Sequence, residues 1–213
     1  MTHRLTCGNR ELVCDRTLIM GILNVTPDSF SDGKKFLLAE TAVAHAEQMV
    51  RDGADIIDIG GESTRPGAEP VSVKEELRRV IPVVEELVKR ISIPISIDTI
   101  KPEVAKECLR LGATMINDVS GLGNPLMRKV VADYNVPAVI MHMQGTPATM
   151  QNNPRYGNVI NDILAYLTLR ATIARNSGIE QIILDPGIGF GKSLNDNLRT
   201  IFNLCRFKGY YPI

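Results

Sequence analysis

The sequence predicts an α/β protein built as a TIM-type (β/α)8 barrel, apparently incomplete, with about six βα units within its 213 residues. Three observations predict this. Short apolar, β-branched runs alternate with amphipathic stretches of helical period, the pattern of buried parallel strands joined by crossover helices. Nearly every run ends in a side chain able to do chemistry, which suits a barrel whose site collects residues from several strand ends. An open doubly wound sheet would concentrate such residues at one switch point, and its glycine-rich dinucleotide fingerprint is absent. The turn after the first run reads Asn24-Val-Thr-Pro-Asp-Ser-Phe30 instead.

A hairpin is expected around Cys7 and Cys14. The first buried run, Leu18-Ile-Met-Gly-Ile-Leu23, closes on Asn24. In the helix that follows, Ala42, Val43, Ala46, Met49 and Val50 form one stripe, and Gly53 stands at the C′ position. The second run is Ile56-Ile-Asp-Ile59; Ser72 can cap the next helix, which Pro82 should kink or interrupt. The third run, Ile95-Ser-Ile97, ends on Asp98, and Pro102 opens a helix carrying Val104, Ala105, Cys108 and Leu109 up to Gly112. Met115-Ile116 ends on Asn117, Ala138-Val-Ile-Met141 is followed by His142, and Ile182-Ile-Leu184 ends on Asp185. Helices near 125–135, 159–176 and 195–207 complete six units, and a seventh strand is expected to begin near Tyr210. A complete barrel takes about 250 residues, so two units are expected to be missing and the sheet to have two open edges. No linker-like composition shift appears, so residues 1–213 are read as a single domain.

Composition narrows the partners. Lys+Arg and Asp+Glu number 24 each, so no net field draws the chain to nucleic acid or to acidic membranes. The apolar runs fall far short of the roughly 18 residues needed to span a bilayer, and the N-terminal segment lacks the apolar region of a secretory signal. The four cysteines show no C-x-x-C spacing and are read as reduced thiols of a cytoplasmic protein. His3, His45 and His142 show no paired metal-ligand spacing, and no Gly-x-Ser-x-Gly elbow supports a hydrolase.

Four motifs carry chemistry. Asn24 ends the first run, where its amide can orient a phosphate or ligate a hard metal through oxygen. The polar, turn-forming residues after it surround Phe30, as in a mobile lid or an ordinary surface loop. In Gly60-Gly-Glu-Ser-Thr-Arg-Pro-Gly67, two glycines permit close backbone approach, Ser63 and Thr64 can donate hydrogen bonds, and Arg65 fits an anion. Asp58 and Glu62 are read as structural partners near the barrel mouth. The trio Asp98, Asn117 and Asp185 could converge on a heterocycle rich in N–H donors, such as an aminopyrimidinone edge. Alternatively, each merely caps its following helix. The end of Asp185-Pro-Gly-Ile-Gly-Phe-Gly-Lys-Ser193 looks like a phosphate-binding P-loop, but Pro186 stands where that motif needs its first glycine. Lys192 is read as a solvent-facing helix start, and His142 as lining the pocket or packing outside it.

Taken together, these motifs resemble the dihydropteroate synthase family. Met20-Gly-Ile-Leu-Asn-Val-Thr-Pro-Asp-Ser-Phe-Ser-Asp-Gly33 and Gly53-Ala-Asp-Ile-Ile-Asp-Ile-Gly-Gly-Glu-Ser-Thr-Arg-Pro-Gly67 look like its first two signatures. Ser96-Ile-Asp-Thr99, Ile116-Asn-Asp-Val-Ser-Gly121, Met141-His-Met-Gln144 and Asp185-Pro-Gly-Ile-Gly-Phe-Gly-Lys192 follow in the family's order. The resemblance implies a transferase of folate biosynthesis that joins 6-hydroxymethyl-7,8-dihydropterin pyrophosphate to 4-aminobenzoate, giving 7,8-dihydropteroate and pyrophosphate. It implies Asp98, Asn117 and Asp185 on the pterin with Met141 packed on its ring, and Asn24 on the pyrophosphate and its Mg²⁺. It places Asp28, Phe30, Thr64, Arg65 and Pro66 around the leaving group and the aminobenzoate, with Asn24, Asp98 and Arg65 as the catalytic set and a homodimer as the full-length assembly. The family's later Ser-Arg-Lys and Arg-x-His segments have no counterpart before Ile213, so little synthase activity is expected of this chain. An inactive pterin-binding fragment or pseudoenzyme, and a pterin-binding methyltransferase domain, are the alternatives. The Pro27-Asp-Ser-Phe30 and Ser63-Thr-Arg-Pro66 segments argue against the methyltransferase.

Overall fold

The computed structural model describes residues 2–26, 35–65, 68–209 and 211–213. Strands β1 (His3–Cys7) and β2 (Arg10–Cys14) form the expected antiparallel hairpin. Six parallel strands follow in one sheet: β3 (Met20–Asn24), β4 (Ile56–Gly60), β5 (Ile95–Asp98), β6 (Met115–Asp118), β7 (Ala138–Met141) and β8 (Ile182–Asp185). After them in turn come helices α1 (Lys35–Arg51), α2 (Val73–Arg90), α3 (Pro102–Leu111), α4 (Pro125–Tyr134), α5 (Val159–Asn176) and α6 (Leu194–Phe202). Sheet order equals chain order and a helix follows every strand, which is the winding of a (β/α)8 barrel with six units among the described residues. The sheet's edges are β3 and β8. Beyond the last helix the backbone returns along β8: Leu184 N–H donates to the Pro212 carbonyl at 2.9 Å, where the expected seventh strand would run. Tyr210 itself lies outside the described residues.

Local chemistry sets the element boundaries. The Ser72 hydroxyl caps α2 by accepting from Glu75 N–H, Pro102 starts α3, and Gly112 ends it in the left-handed conformation. Of the two outcomes expected at Pro82, a kink or an interruption, the interruption does not occur: α2 is continuous through it. Its ring sits on the exposed side, where water can donate to the carbonyl of the preceding turn that Pro, lacking an N–H, leaves without a donor. No helix among the described residues is long and apolar enough to cross a membrane.

Period-two alternation divides each strand between two environments. One face, carrying Ile57, Ile59, Ile97, Ile116, Ile140 and Leu184, packs beneath the helices against Val80, Val84, Leu87, Cys108 and Leu167. Toward the N-terminal ends, the other face carries Ile56, Met115 and Val139. These form a separate cluster with Leu5 and Cys7 of the hairpin, flanked by Leu12 and Cys14. The hairpin therefore closes the floor of the barrel. It is held there by Arg16, which grips the Asp55 carboxylate with both terminal nitrogens at 2.9 and 2.5 Å, while Ile19 N–H donates to the same carboxylate at 2.9 Å.

At the opposite end, partly buried cations hold the loops. Arg79 donates to the Gly61 carbonyl at 2.8 Å, and Arg170 donates to the carbonyls of Gly121 and Leu122. Lys101 bridges the carboxylates of Glu62 and Glu76, and Thr99 Oγ1 donates to Glu76 at 2.6 Å. Lys192 corrects an expectation: it is 3% exposed rather than facing solvent. Its ammonium donates to the carbonyls of Gly187 (2.7 Å) and Phe190 (3.0 Å) and faces His142 Nδ1 at 3.2 Å. The loop folds back on itself through Gly187, whose φ of +67° and contact with the His142 carbonyl leave no room for a side chain, and so its carbonyls surround the ammonium. Burial lowers the Lys192 pKa to about 8.

Two outcomes follow from this packing. Leu5→Ala should remove part of the barrel floor and cost about 2–4 kcal/mol, read as a shift in the urea midpoint. For Lys192, the unfolded chain keeps its proton up to about pH 10.4 while the folded chain releases it near pH 8. Stability from this group therefore rises between those values and is lost as pH falls through 8. Buried Cys108, raised to about 12, works the other way, so the test is a difference. Wild type should gain roughly 1–3 kcal/mol relative to Lys192→Met between pH 8 and 10 in urea titrations. A constant difference across that range would show that the ammonium is not desolvated.

Candidate active site

The parallel register brings the first candidates together. Asn24 pairs with Gly60, Gly60 with Asp98, and Asp98 with Asn117, so all four stand in one row on the inward side of the sheet. Glycine at 60 leaves the gap between its neighbours open. A Cβ there would lie 3.4 Å from Asp98 Oδ2 and 3.5 Å from Asn24 Oδ1. One row deeper are Asp58 and Ser96, paired in register and both buried. Across the mouth, Met141 pairs with Asp185 and is buried.

The capping alternative fails for the whole trio. Lys101 occupies the cap position of α3, Asn124 caps α4 and Ser193 caps α6. Asp185 makes one local bond, accepting from Gly187 N–H at 2.7 Å. Asp98 Oδ1 and Asn117 Oδ1 are buried with no hydrogen-bond partner among the described residues. Buried acceptors are rarely left this way in the absence of a ligand, because each forfeits hydration without compensation.

The electrostatics agree. Burial first, then the carboxylates of Asp58, Glu76, Asp118 and Glu62, push the Asp98 pKa well above its ordinary value. Asp185 is raised by burial, partly offset by Gly187 N–H and the charge of Lys192. Burial also raises Asp58, against which the Asn117 amide works by donating to Asp58 Oδ2 at 2.9 Å. Ser96 lies alongside, but its hydroxyl has no hydrogen bond of good geometry. A pocket lined with acceptors whose pKa values are raised suits a neutral ligand presenting N–H groups.

The second loop reaches the same space. Glu62, Ser63, Thr64, Asp98, Thr99 and Val119 line one cavity together, so Thr64 shares it with Asp98, while Arg65 is exposed and not part of its lining. Glu62 and Asp58 have the structural partners expected of them, Lys101 and Asn117. His142 does not line the pocket. It is buried beneath α5, edge-on to Tyr166 at 5.0 Å, and burial followed by the charge of Lys192 lowers its pKa to about 4. As the residue after Met141, it points to the opposite face. Asp28, Phe30 and Pro66 lie outside the described residues. No cluster of three or more His, Cys, Asp or Glu among the described residues could hold a metal ion. The direct bond between Asp58 and Asn117 went unforeseen. Its signal was parity: Asp58 stands two residues before Gly60, and so on the same face.

Comparison with known proteins agrees with this geometry. Residues 20–212 match the family of pterin binding enzymes. The chain is 50% identical over 196 residues to the dihydropteroate synthase of Synechocystis, a match covering 91% of this chain and 68% of that protein. Among solved structures, the Xanthomonas albilineans dihydropteroate synthase with 4-aminobenzoic acid is similar at a TM-score of 0.90 and 48% identity, covering 97% of this chain and 74% of that one. The same enzyme in complex with 7,8-dihydropteroate is similar at 0.86 and 45% identity, covering 96% and 73%. With the family match spanning residues 20–212 and with sequence and fold similar over nearly its full length, the chain belongs to the pterin-binding enzyme family, among the dihydropteroate synthases.

Proposed function

We propose that this chain binds the pterin of a dihydropteroate synthase reaction in the pocket formed by Asp98, Asn117 and Asp185, with Met141 against the ring. One observation carries the reading: Asp98 Oδ1 and Asn117 Oδ1 stand in register, buried and without partners. An aminopyrimidinone edge supplies the N–H groups that would satisfy them. The complexes of the similar Xanthomonas enzyme with 4-aminobenzoic acid and 7,8-dihydropteroate support the same substrate classes here.

The proposed reaction needs no protein nucleophile. The C–O bond to pyrophosphate breaks, pyrophosphate takes the electron pair, and the methylene carbon is left cationic and stabilised by the pterin ring. The amine of 4-aminobenzoate then forms the C–N bond and releases a proton. Thr64 lines the pocket, and Arg65, next to it in the chain and exposed, is proposed to meet the leaving anion with charge-assisted hydrogen bonds. Asp28, Phe30 and Pro66 are proposed to complete the enclosure around the aminobenzoate. Mg²⁺ fits only as an ion held mainly by pyrophosphate oxygens and water, with the Asn24 amide as one hard oxygen ligand, because the described residues provide no all-protein cage. When bound, it would stabilise the charge that builds on the leaving group.

The described units are further proposed to be the greater part of one barrel domain. Ile19 and Ile22 near the β3 edge, and Leu194, Leu198, Ile201 and Phe202 on α6, are exposed apolar side chains that further βα units would cover. A cytoplasmic setting, read from the reduced cysteines, and a homodimer, which the family resemblance implies, are proposed with it.

Calorimetric titration of the purified 213-residue chain with 6-hydroxymethylpterin tests the pocket. Binding is expected in wild type. Asp98→Asn should weaken it at least about tenfold while leaving the melting temperature unchanged or higher, because a strained buried carboxyl has been relieved. No binding by wild type would sink the reading. In parallel, the pterin pyrophosphate, 4-aminobenzoate and Mg²⁺ are supplied and dihydropteroate is measured. Binding without product selects a non-catalytic pterin-binding chain, and sustained turnover overturns the expectation of low activity.

A further inference from the structure

Asn117 presents two opposite surfaces. Its amide can offer a ligand either the carbonyl oxygen, which accepts, or the NH₂, which donates, and the two differ only by a half-turn of a nearly symmetrical group. Which one faces the pocket decides which heterocycle edge the pocket reads. The strand itself does not settle the choice, because both orientations fill the same volume. A neighbour that accepts hydrogen bonds but does not donate them can settle it.

Asp58 acts this way toward Asn117 through its Oδ2, which accepts from the Asn117 NH₂ whether the carboxyl is ionised or carries its proton on Oδ1. It is 2% exposed, on β4, one row below the Asn24–Gly60–Asp98–Asn117 row and on the same face. Asn117 Nδ2 donates to Asp58 Oδ2 at 2.9 Å, which turns Asn117 Oδ1 the other way, buried and unpartnered. We propose that Asp58 is a positioning and specificity-determining residue: by holding the Asn117 NH₂, it forces the Asn117 carbonyl toward the ligand. Asn117 then offers an acceptor at that place and selects a heterocycle whose edge carries an N–H donor there over one carrying a carbonyl. The inference rests on the proposed pterin site and adds what sets its polarity.

The chemistry of the mismatch gives the expected size of the effect. A site built to hydrogen-bond a donor rejects an analogue that lacks it, because a buried acceptor is then left facing another acceptor. Asp58→Asn has nearly the same shape but can donate as well as accept. An asparagine at 58 could pair with either end of the Asn117 amide, so the half-turn becomes free and the discrimination is lost.

The probes are 6-hydroxymethylpterin and its 2-oxo counterpart, 6-hydroxymethylpteridine-2,4-dione, titrated calorimetrically against the 213-residue chain. Wild type is expected to prefer the pterin by at least about tenfold. In Asp58→Asn that ratio should fall to within about threefold of unity, with unfolding curves confirming a folded protein. In an Asn117→Ala background, adding Asp58→Asn should leave the ratio unchanged, because the residue it acts through is gone. An unchanged ratio in Asp58→Asn alone overturns the proposal. So does an equal further loss in the Asn117→Ala background, which would mean that Asp58 meets the ligand directly. If wild type binds neither compound, the pterin-site reading itself fails, and this inference falls with it.

Discussion

Six short parallel strands paired in chain order put the same inward face of each strand at the same height, and the remaining structure depends on that register. Because side chains alternate, each strand must satisfy two environments at once. Its outward residues meet helices and are mostly Ile, Leu or Ala, with Gly21 and Asp118 as exceptions. Its inward residues change along the strand, from an apolar floor closed by the hairpin to a polar mouth. A slip of one residue in any strand would exchange the two sets, bringing Asp98 or Asn117 under a helix and an isoleucine into the pocket. Register is therefore the physical basis of both the core and the site.

The polar mouth is costly to keep. Asp58, Asp98 and Asp185 are all pushed toward their neutral forms by burial, and few cations reach the pocket to relieve them. Lys101 is committed to Glu62 and Glu76, and Lys192 to backbone carbonyls behind the sheet. The cations thus stabilise the loops rather than neutralise the pocket. Stability given up at a site in this way is the usual mark of a surface shaped for a ligand.

Much of this was legible in the residues alone. The six strands, their order and the trio at their ends follow from apolar runs of two to six residues, most of them closing on one polar side chain. The cap at Ser72 and the stop at Gly112 follow from backbone chemistry that needs no distant partner. Lys192 was misread because a lysine beside a helix start is ordinarily solvated. Only the return of its own loop brings the Gly187 and Phe190 carbonyls around it. The interruption expected at Pro82 does not occur, because its penalty depends on which side of the helix it faces, and that side is exposed. His142 was ambiguous until strand parity placed it opposite Met141.

By itself, then, the sequence determined the winding, the alternation along each strand and the identity of the side chains at the strand ends. These are local properties, set by period, propensity and turn chemistry within a few residues. The tertiary structure alone decided that Asp58 holds Asn117 from 59 positions away in the chain, that the N-terminal hairpin is the barrel floor, and that the capping roles open to the trio fall to other residues. Hydrogen bonds and packing between distant segments depend on where the chain returns in space, and a linear pattern carries no distance.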